Sequence, residues 1–517
     1  MSVFTRIPGI ENKGLDKRRI LVFFIFFALI LLLFFTHLGI NSPYTYGLPL
    51  VYPKSPPPSI EGYLVNWDAP VFIFAVDTLY GTKLPIDSTA ISYVLGRPLP
   101  AFWASIFVGL TRSYMFGNYV ANILALLLLC LVFMNFASRL GVSYEAIAVA
   151  GVGILLLPIF AHYIGQPLPY LTGIVISFLI LLAIMSFSQE DYKNPVVLGL
   201  LTSLLFFSYD WIVFVVTVVI YFIAFYRFKK GIHYLYFFLA MFAPLILGTL
   251  SILIIKPAAT SSAYSSFLKP VIKDFWKNWL EYFKHPMKKF SLPFQASQIG
   301  LAIAFKQLLA YIYWPLLLFT GYYLIKLRGK IKESRLFKLV FLLVGVFLLE
   351  QMLTAAFDWE NNTRRAIPLI FAFAFLFTYV IAKTIDRRKV KYIVAIILII
   401  SFALTFADVL AKDPSIQANQ YGEFMRWEPK AIMKYYEKRL TKTSLPNLER
   451  DGKPEFFGVK KAEVSRQNWW QFAGLQALLF IVLLALFYFL YKASLLSQYF
   501  AWALCGVFLA SIIFRFI

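Results

Sequence analysis

Long apolar segments recur along the whole chain, and they restrict its fold more than any other feature. The 517 residues are 60% hydrophobic and 19% aromatic, with a mean hydropathy of +0.72. Soluble domains do not have this composition. A run of about 20 apolar residues is long enough to cross a bilayer as a helix. The sequence therefore predicts an all-α, polytopic integral membrane protein.

The length criterion predicts about 13 transmembrane helices. The first run is too long for the apolar part of a cleavable signal, and no small-residue cleavage site follows it. The runs on either side of Tyr209-Asp210 are short, so they form either two spans or one bent, re-entrant segment. The predicted spans are 20–40, 116–137, 144–160, 168–187, 195–209, 211–227, 233–255, 303–326, 337–356, 365–384, 391–409, 470–491 and 496–515.

The net charge of +23 is concentrated in short basic clusters between these runs. Such clusters mark cytoplasmic loops and favour anionic lipid headgroups, so membrane lipids are expected partners and nucleic acid is not. We expect a multi-pass plasma-membrane protein with a cytoplasmic N-terminus. The clusters are Lys17-Arg18-Arg19, Arg227-Phe228-Lys229-Lys230, Lys326 to Lys338, and Arg387-Arg388-Lys389.

The remaining polar material divides the chain into three parts. Residues 1–409 form the predicted membrane core, with outer loops at 41–97, 256–302 and 357–364. Residues 410–469 form a small extracytoplasmic segment, and 470–517 a C-terminal two-helix hairpin. Pro98 to Leu110 is apolar but too short to span, which predicts a juxtamembrane helix at the interface. Loop 256–302 contains an amphipathic pattern, which fits either a helix on the headgroups or a lid packed on protein.

Common catalytic and metal-binding motifs are missing. The chain has no Walker A, GxGxxG, HExxH or CxxC sequence, and its four histidines are scattered. Cys130 and Cys505 both lie inside apolar runs, so neither a disulfide framework nor a metal cluster is predicted.

Asp68 in the first outer loop is the first candidate for chemistry. Its Trp67 and Phe72 neighbours suggest partial burial, which raises a carboxyl pKa toward that of a usable base. It can also hold a divalent cation, Mg²⁺ or Mn²⁺, together with Asp77 or Asp87. The alternative is an ordinary N-cap that opens a helix over Ala69–Tyr80, and both roles are compatible.

Three arginines are candidates for binding phosphate. Arg97 ends the first outer loop, and Arg364 and Arg365 stand on the outer side, against the usual distribution of positive charge. Guanidinium groups bind phosphate and pyrophosphate by two hydrogen bonds at once. The alternatives are an interfacial arginine at Arg97 and a salt bridge from the pair to Asp358 or Glu360.

Further polar residues lie at the predicted outer ends of the spans. Polar groups at such depths tend to face a cavity rather than lipid, although each also fits a structural role. These candidate cavity residues are His162, Tyr163, Gln166, Asp210, Glu350 and Glu360.

The arrangement resembles the polytopic, lipid-linked-sugar glycosyltransferases of the GT-C fold, such as mannosyltransferases and aminoarabinose transferases. That family has a catalytic acidic residue and juxtamembrane helices in its first outer loop, and then an Arg/Lys-Pro-Pro-Leu-like segment. Here Trp67-Asp68-Ala69-Pro70 and Arg97-Pro98-Leu99-Pro100 take those places. The sequences Phe136-Ala137-Ser138-Arg139-Leu140-Gly141 and Thr363-Arg364-Arg365-Ala366-Ile367-Pro368 are similar to a cytoplasmic span end and a later helix start of the family.

The resemblance covers roughly residues 1–410 and implies a specific reaction. A polyprenyl-phosphate sugar would donate its sugar, with inversion, to a glycan, lipid or protein acceptor on the extracytoplasmic face. Asp68 or Asp77 would activate the acceptor, and Arg97, Arg364 or Arg365 would neutralise the leaving phosphate. The family usually has two adjacent acidic residues where Asp68 is followed by alanine, so the base is either Asp68 or Asp77.

Two other classes of function fit a polytopic protein. A transporter or lipid flippase needs ionisable residues near the bilayer midplane, whereas most span interiors here lack charge. A non-catalytic membrane subunit of a cell-envelope assembly would use its aromatic-rich spans to pack against partners.

Overall fold

The computed structural model describes a set of segments that together include most of the predicted membrane core. They are residues 17–41, 59–60, 63–64, 72, 76, 98–111, 113–157, 160, 164, 170–186, 193–208, 212–226, 228, 230–255, 312–331, 335–354, 367–410, 477–482, 484–485, 488 and 506.

The described part of the chain is almost entirely helical, as the sequence predicts. Residues 222–226 continue α7 as one turn of π-helix. The helices are α1 Lys17–Asn41, α2 Pro98–Thr111, α3 Tyr114–Arg139, α4 Tyr144–Leu155, α5 Tyr170–Ser186, α6 Lys193–Phe206, α7 Ile212–Tyr221, α8 Gly231–Ile255, α9 Trp314–Ile331, α10 Arg335–Thr354, α11 Ile367–Thr384 and α12 Arg388–Leu410.

Most helices begin and end within a few residues of the predicted spans. The start of α9 is an exception: the helix begins at Trp314 and not at the predicted 303, since Ile312 and Tyr313 are not helical and Pro315 suits a first helical turn. Two further differences have local causes. α4 ends at Leu155, before the predicted 160, because Pro158 follows and disfavours helical backbone just before itself. α9 continues to Ile331, beyond the predicted 326. Lysine and arginine end an apolar run, but they are good helix formers and do not end a helix.

A short antiparallel ladder lies in the predicted first outer loop. β1 Ser59–Ile60 pairs with β2 Tyr63–Leu64, in the register Ser59 with Leu64 and Ile60 with Tyr63. The sequence did not predict this pairing, because two-residue strands are too short to produce an alternating pattern.

The core is built around α3. It contacts α1, α2, α4 and α5, and α5 in turn contacts α6. α6 packs along α8, while α7 packs on α10. α11 closes the arrangement through contacts with α4, α9 and α10, and α12 lies against α1 and α4. Phenylalanine rings fill the centre, where Phe136 and Phe178 meet edge to face with ring centroids 6.0 Å apart.

Glycines allow several helices to approach at backbone distance. A Cβ atom built on Gly199 of α6 would lie 2.4 Å from the carbonyl oxygen of Phe237 in α8. A Cβ on Gly151 of α4 would lie 2.1 Å from the Phe26 ring of α1. Small residues at such crossings bring helices close enough for extensive van der Waals contact.

Many basic helix ends lie together at one end of the assembly, called here the basic end. At the start of α1, the Arg19 guanidinium donates a hydrogen bond to Asn135 near the end of α3. Lys391, near the start of α12, forms a 2.7 Å ion pair with Glu145 in the first turn of α4.

The helices on the other side of the core have their basic ends there too. Asn194 at the start of α6 donates to Tyr226 after α7. Lys338 in the first turns of α10 lies 6.0 Å from the Phe225 ring centroid. Phe337 of α10 meets Tyr379, near the end of α11, and α12 follows α11 directly. The starts of α3 and α5 and the ends of α6 and α10 therefore lie at the opposite end, called here the far end.

The described helices differ in whether they are long enough to cross a membrane. Within the described residues, Lys17–Phe35 and Phe116–Arg139 are long and apolar enough to cross a bilayer, and several other apolar helices are shorter. α4, with 12 residues, is about 18 Å long, whereas the bilayer core is about 30 Å thick. The count of 13 spans stays a prediction.

We predict opposite effects for alanine at two glycines. Gly199→Ala should lower the free energy of unfolding by about 1–3 kcal/mol, because its Cβ overlaps the α8 backbone. Gly345→Ala on α10, where a Cβ meets nothing within 4 Å, should raise it by about 0.5–1 kcal/mol. Thermal unfolding in detergent measures both. Equal effects of the two substitutions would contradict the α6–α8 contact.

Candidate functional site

The short helix α2 is attached to the far end of the core. The backbone N–H of Leu99 donates a 3.1 Å hydrogen bond to the carbonyl oxygen of Phe207, just after α6. The first N–H groups of a helix have no partner inside it, so this bond satisfies one that would otherwise be unpaired. Pro98 opens the helix, which suits a first position that needs no N–H. α2 is buried along most of its length.

The predicted first outer loop also reaches this region. Phe72 and Val76 are helical and buried, with 2% and 0% of their surfaces exposed. Residues four apart lie on one face of a helix, so this spacing agrees with the helix predicted over Ala69–Tyr80. Their contact with the core attaches the segment that carries Asp68 and Asp77.

A small cavity lies where this loop, α2, α3 and α5 meet. Its volume open to the centre of a water molecule is about 10 Å³, which is room for one water-sized group. It is lined by Phe72, Pro100, Trp103, Ala104, Asn118, Ala121, Asn122, Ala125, Leu171 and Thr172.

The cavity wall contains polar side chains in an otherwise apolar helix. Asn118 and Asn122 are one helical turn apart on α3, and their exposed fractions are 1% and 7%. Trp103 of α2 donates from Nε1 to the carbonyl oxygen of Ala121, at 2.9 Å. Ser113 caps the start of α3 by accepting from the Phe116 N–H, which fixes the turns that carry both asparagines.

These lining residues were not predicted from the sequence. Asn118 and Asn122 lie inside the apolar span predicted over 116–137, and two amides four residues apart in such a run are a signal for a buried polar face. The roles of Trp103 and Thr172 depend on contacts between helices, so no local pattern indicates them.

Most of the predicted site residues lie outside the described residues, but their chain neighbours can be located. Asp68, Asp77 and Arg97 belong to this group. Phe72, which stands between the two aspartates in the sequence, lines the cavity. Pro98, which follows Arg97, is buried at the start of α2. Described neighbours of these candidates, Phe72 and Pro98, therefore lie at the far end.

Most of the predicted cavity residues can also be related to described neighbours in the chain. His162, Tyr163, Gln166 and Asp210 are outside the described residues. The first two lie in sequence between buried Phe160 and Ile164, and Gln166 precedes the cavity residues Leu171 and Thr172. Asp210 follows Phe207, the partner of Leu99. Glu350 is on α10, close to the end of the helix at Thr354 and thus at the far end.

The arginine pair is related to this region through α11. Arg364, Arg365 and Glu360 precede the described start of α11 and are outside the described residues. In the first turns of α11, Phe371 packs against Phe178 of α5, with ring centroids 5.0 Å apart. α11 therefore packs on the middle of α5, in the aromatic centre where Phe178 also meets Phe136, whereas the cavity lies at the start of α5.

A divalent cation stays a prediction. Among the described residues, no three His, Cys, Asp or Glu side chains form a group that could hold a metal ion. The residues predicted to hold one, Asp68 with Asp77 or Asp87, are outside that part of the chain.

Comparison with known proteins gives no relative. No family model, no curated protein and no solved structure matches this chain. The family resemblance noted above therefore stays an expectation from sequence.

We predict a modest effect when the Trp103 hydrogen bond is removed. Trp103→Phe keeps an aromatic ring but loses the indole N–H, so the free energy of unfolding should fall by about 1 kcal/mol. Trp314→Phe, at a tryptophan that is 61% exposed at the start of α9, should leave it unchanged. Chemical denaturation of both variants in detergent measures the difference. An unchanged stability of Trp103→Phe would show that this bond does not hold α2 to α3.

Proposed function

We propose that the chain is a polytopic membrane glycosyltransferase of the GT-C type. In this proposal it moves a sugar from a polyprenyl-phosphate donor to a glycan, lipid or protein acceptor at the extracytoplasmic face of the plasma membrane. The far end is the extracytoplasmic side, and the basic end is the cytoplasmic side.

Exposed apolar side chains support the membrane part of the proposal. α1, α8, α9 and α12 leave large hydrophobic side chains uncovered along their length, and Ile325 and Ile399 are 69% and 67% exposed. Soluble monomers rarely leave such large apolar patches in contact with water. A lipid environment removes that cost, and α8 is the clearest case, with exposed Leu235, Leu239, Phe242 and Ile246 one turn apart.

The basic end supports the proposed orientation. Lys326 lies 4.3 Å from the Tyr322 ring centroid, and Arg388 lies 5.9 Å from that of Tyr392. Basic and aromatic residues are both enriched at membrane interfaces, and lysine and arginine are concentrated on the cytoplasmic side.

One observation carries the reaction part of the proposal. Segments that are far apart in sequence and carry Asp68, Asp77, Arg97 and Asp210 have their described neighbours at the same end of the core. The Leu99–Phe207 hydrogen bond joins the chain after Arg97 to the chain before Asp210. Phe72 of the first outer loop lies in one cavity wall with Leu171 and Thr172 of α5. A site for a lipid-linked substrate needs acidic and basic segments to come together at one face of the membrane.

The chemistry then divides between acidic and basic residues. Asp68 or Asp77 accepts a proton from the acceptor group as that group attacks the anomeric carbon. The bond from this carbon to the phosphate oxygen breaks, and the leaving polyprenyl phosphate takes the electron pair. Arg97, Arg364 or Arg365 neutralises the negative charge that develops on the phosphate. Removal of one such stabilising group typically costs about 10²–10³ in rate.

We predict that Asp68→Asn and Asp77→Asn separate the two candidate bases. The variant at the true base should lose sugar transfer by at least about 10²-fold, while the other keeps most of its activity. Transfer of radiolabelled sugar in membrane vesicles measures this, with folding checked by gel filtration and thermal unfolding. Asp386→Asn, at an exposed aspartate of the basic end, is the matched control. Full activity in the double variant Asp68→Asn/Asp77→Asn would refute the proposed reaction.

We predict that labelling of single cysteines, introduced into a variant without Cys130 and Cys505, shows the basic end on the cytoplasmic side. A cysteine at Lys389, which is exposed at the basic end, should react with an impermeant maleimide only after cells are opened. A cysteine at Ser261, in the predicted outer loop 256–302, should react in intact cells. The reverse pattern would contradict the assignment of the basic end to the cytoplasm.

A further inference from the structure

The cavity beside α2 combines buried amides with a space that neighbouring side chains leave open. Buried polar groups are costly in apolar surroundings, and amides inside an apolar helix commonly mark an interface or a binding site. Asn118 and Asn122 face this space together, and Thr172 adds a hydroxyl from α5. The far-end half of α3 therefore presents a polar face toward this space.

Small residues create the space. Ala104 of α2 and Ala121 and Ala125 of α3 line the cavity, and each is at least 97% buried. A valine or leucine at any of these positions would fill it. Residues 121 and 125 are one turn apart, on the same side of the helix as the two asparagines.

The size and the chemistry of the cavity define what it can hold. Room for one water-sized group excludes a whole sugar ring but accepts one hydroxyl group. A carboxamide both donates and accepts hydrogen bonds, which matches a hydroxyl group, whereas a phosphate offers no lasting donor. Two amides and a threonine hydroxyl are therefore better suited to a sugar hydroxyl than to an anion.

Trp103 is placed to support the rest of such a ligand. Its ring is fixed by the bond to Ala121 and by an edge contact with Phe107, with ring centroids 5.0 Å apart. The side chain is only partly buried. A rigid aromatic surface next to amide groups suits the apolar C–H face and the hydroxyl edge of one sugar.

We propose that the Asn118–Asn122 cavity is a sugar-binding subsite that takes one hydroxyl group of a hexose, with Trp103 beside the ring. The inference rests on the proposed function for its biological context, but it concerns binding rather than transfer. The sugar belongs either to the lipid-linked donor or to a glycan acceptor, since both present the same hydroxyl chemistry.

Direct binding tests the subsite without turnover. Methyl mannoside, methyl glucoside and methyl galactoside are titrated into detergent-solubilised protein, and saturation-transfer NMR gives the dissociation constant for each. At least one of them should bind. Asn118→Leu/Asn122→Leu should weaken that binding about tenfold or more, because two hydrogen bonds are lost. Ala125→Val keeps both amides but fills the space, so it should weaken binding as well.

Asn135→Leu is the matched control, because it makes the same change on the same helix near the basic end, about 20 Å from Asn122. It should bind the sugar as the unmodified protein does. Absence of binding by the unmodified protein, or unchanged binding by a folded Ala125→Val variant, would overturn the subsite.

The transfer assay separates this proposal from the proposed reaction. A raised KM for the donor alone assigns the subsite to the donor sugar, and a raised KM for the acceptor alone assigns it to the acceptor. Unchanged KM for both in the asparagine double variant would overturn it. Sugar binding without any transfer by the unmodified protein would instead refute the reaction and leave the subsite standing.

Discussion

The backbone hydrogen bond from Leu99 to Phe207 is the contact on which the far end depends. This bond attaches α2 to the end of α6. α2 is too short to be stable as an isolated helix, and it packs against α3 and α5. The cavity exists only because α2 is held in this position. Phe72, Leu99 and Phe207, the described neighbours of three predicted site segments, lie at one end of the core.

The described part of the core also keeps its charged and amide side chains toward its two ends. Ion pairs and cation–aromatic contacts lie at the basic end, as between Lys391 and Glu145. The buried amides of the cavity, Asn118 and Asn122, lie at the far end, and the buried amide of Asn194 lies at the basic end. Between these regions, phenylalanine rings from α3, α5 and α11 form the centre. This division fits a protein whose two ends meet different surroundings, which the proposed membrane orientation supplies.

The sequence predicts most helices well because they coincide with apolar runs, and the structure adds Ser113 and Ser143 as the N-caps of two of them. It also predicts that α2 is a separate short helix. It does not predict the cavity, since the joining of Phe72, Trp103 and Asn118 depends on contacts across more than one helix. Nor does it predict the π-helical turn after Tyr221, because no local residue pattern distinguishes that turn from the helix before it.

The contact at Gly199 has a consequence for movement. Gly199, the one glycine of α6, lies against the carbonyl oxygen of Phe237 and next to Ala240. Sliding α8 by one turn would bring Pro195 or Ser203 to that position, and neither leaves room for the backbone. The close approach at Gly199 therefore opposes sliding of α8 along α6. A movement that separates other helices and leaves this pair in contact avoids that overlap.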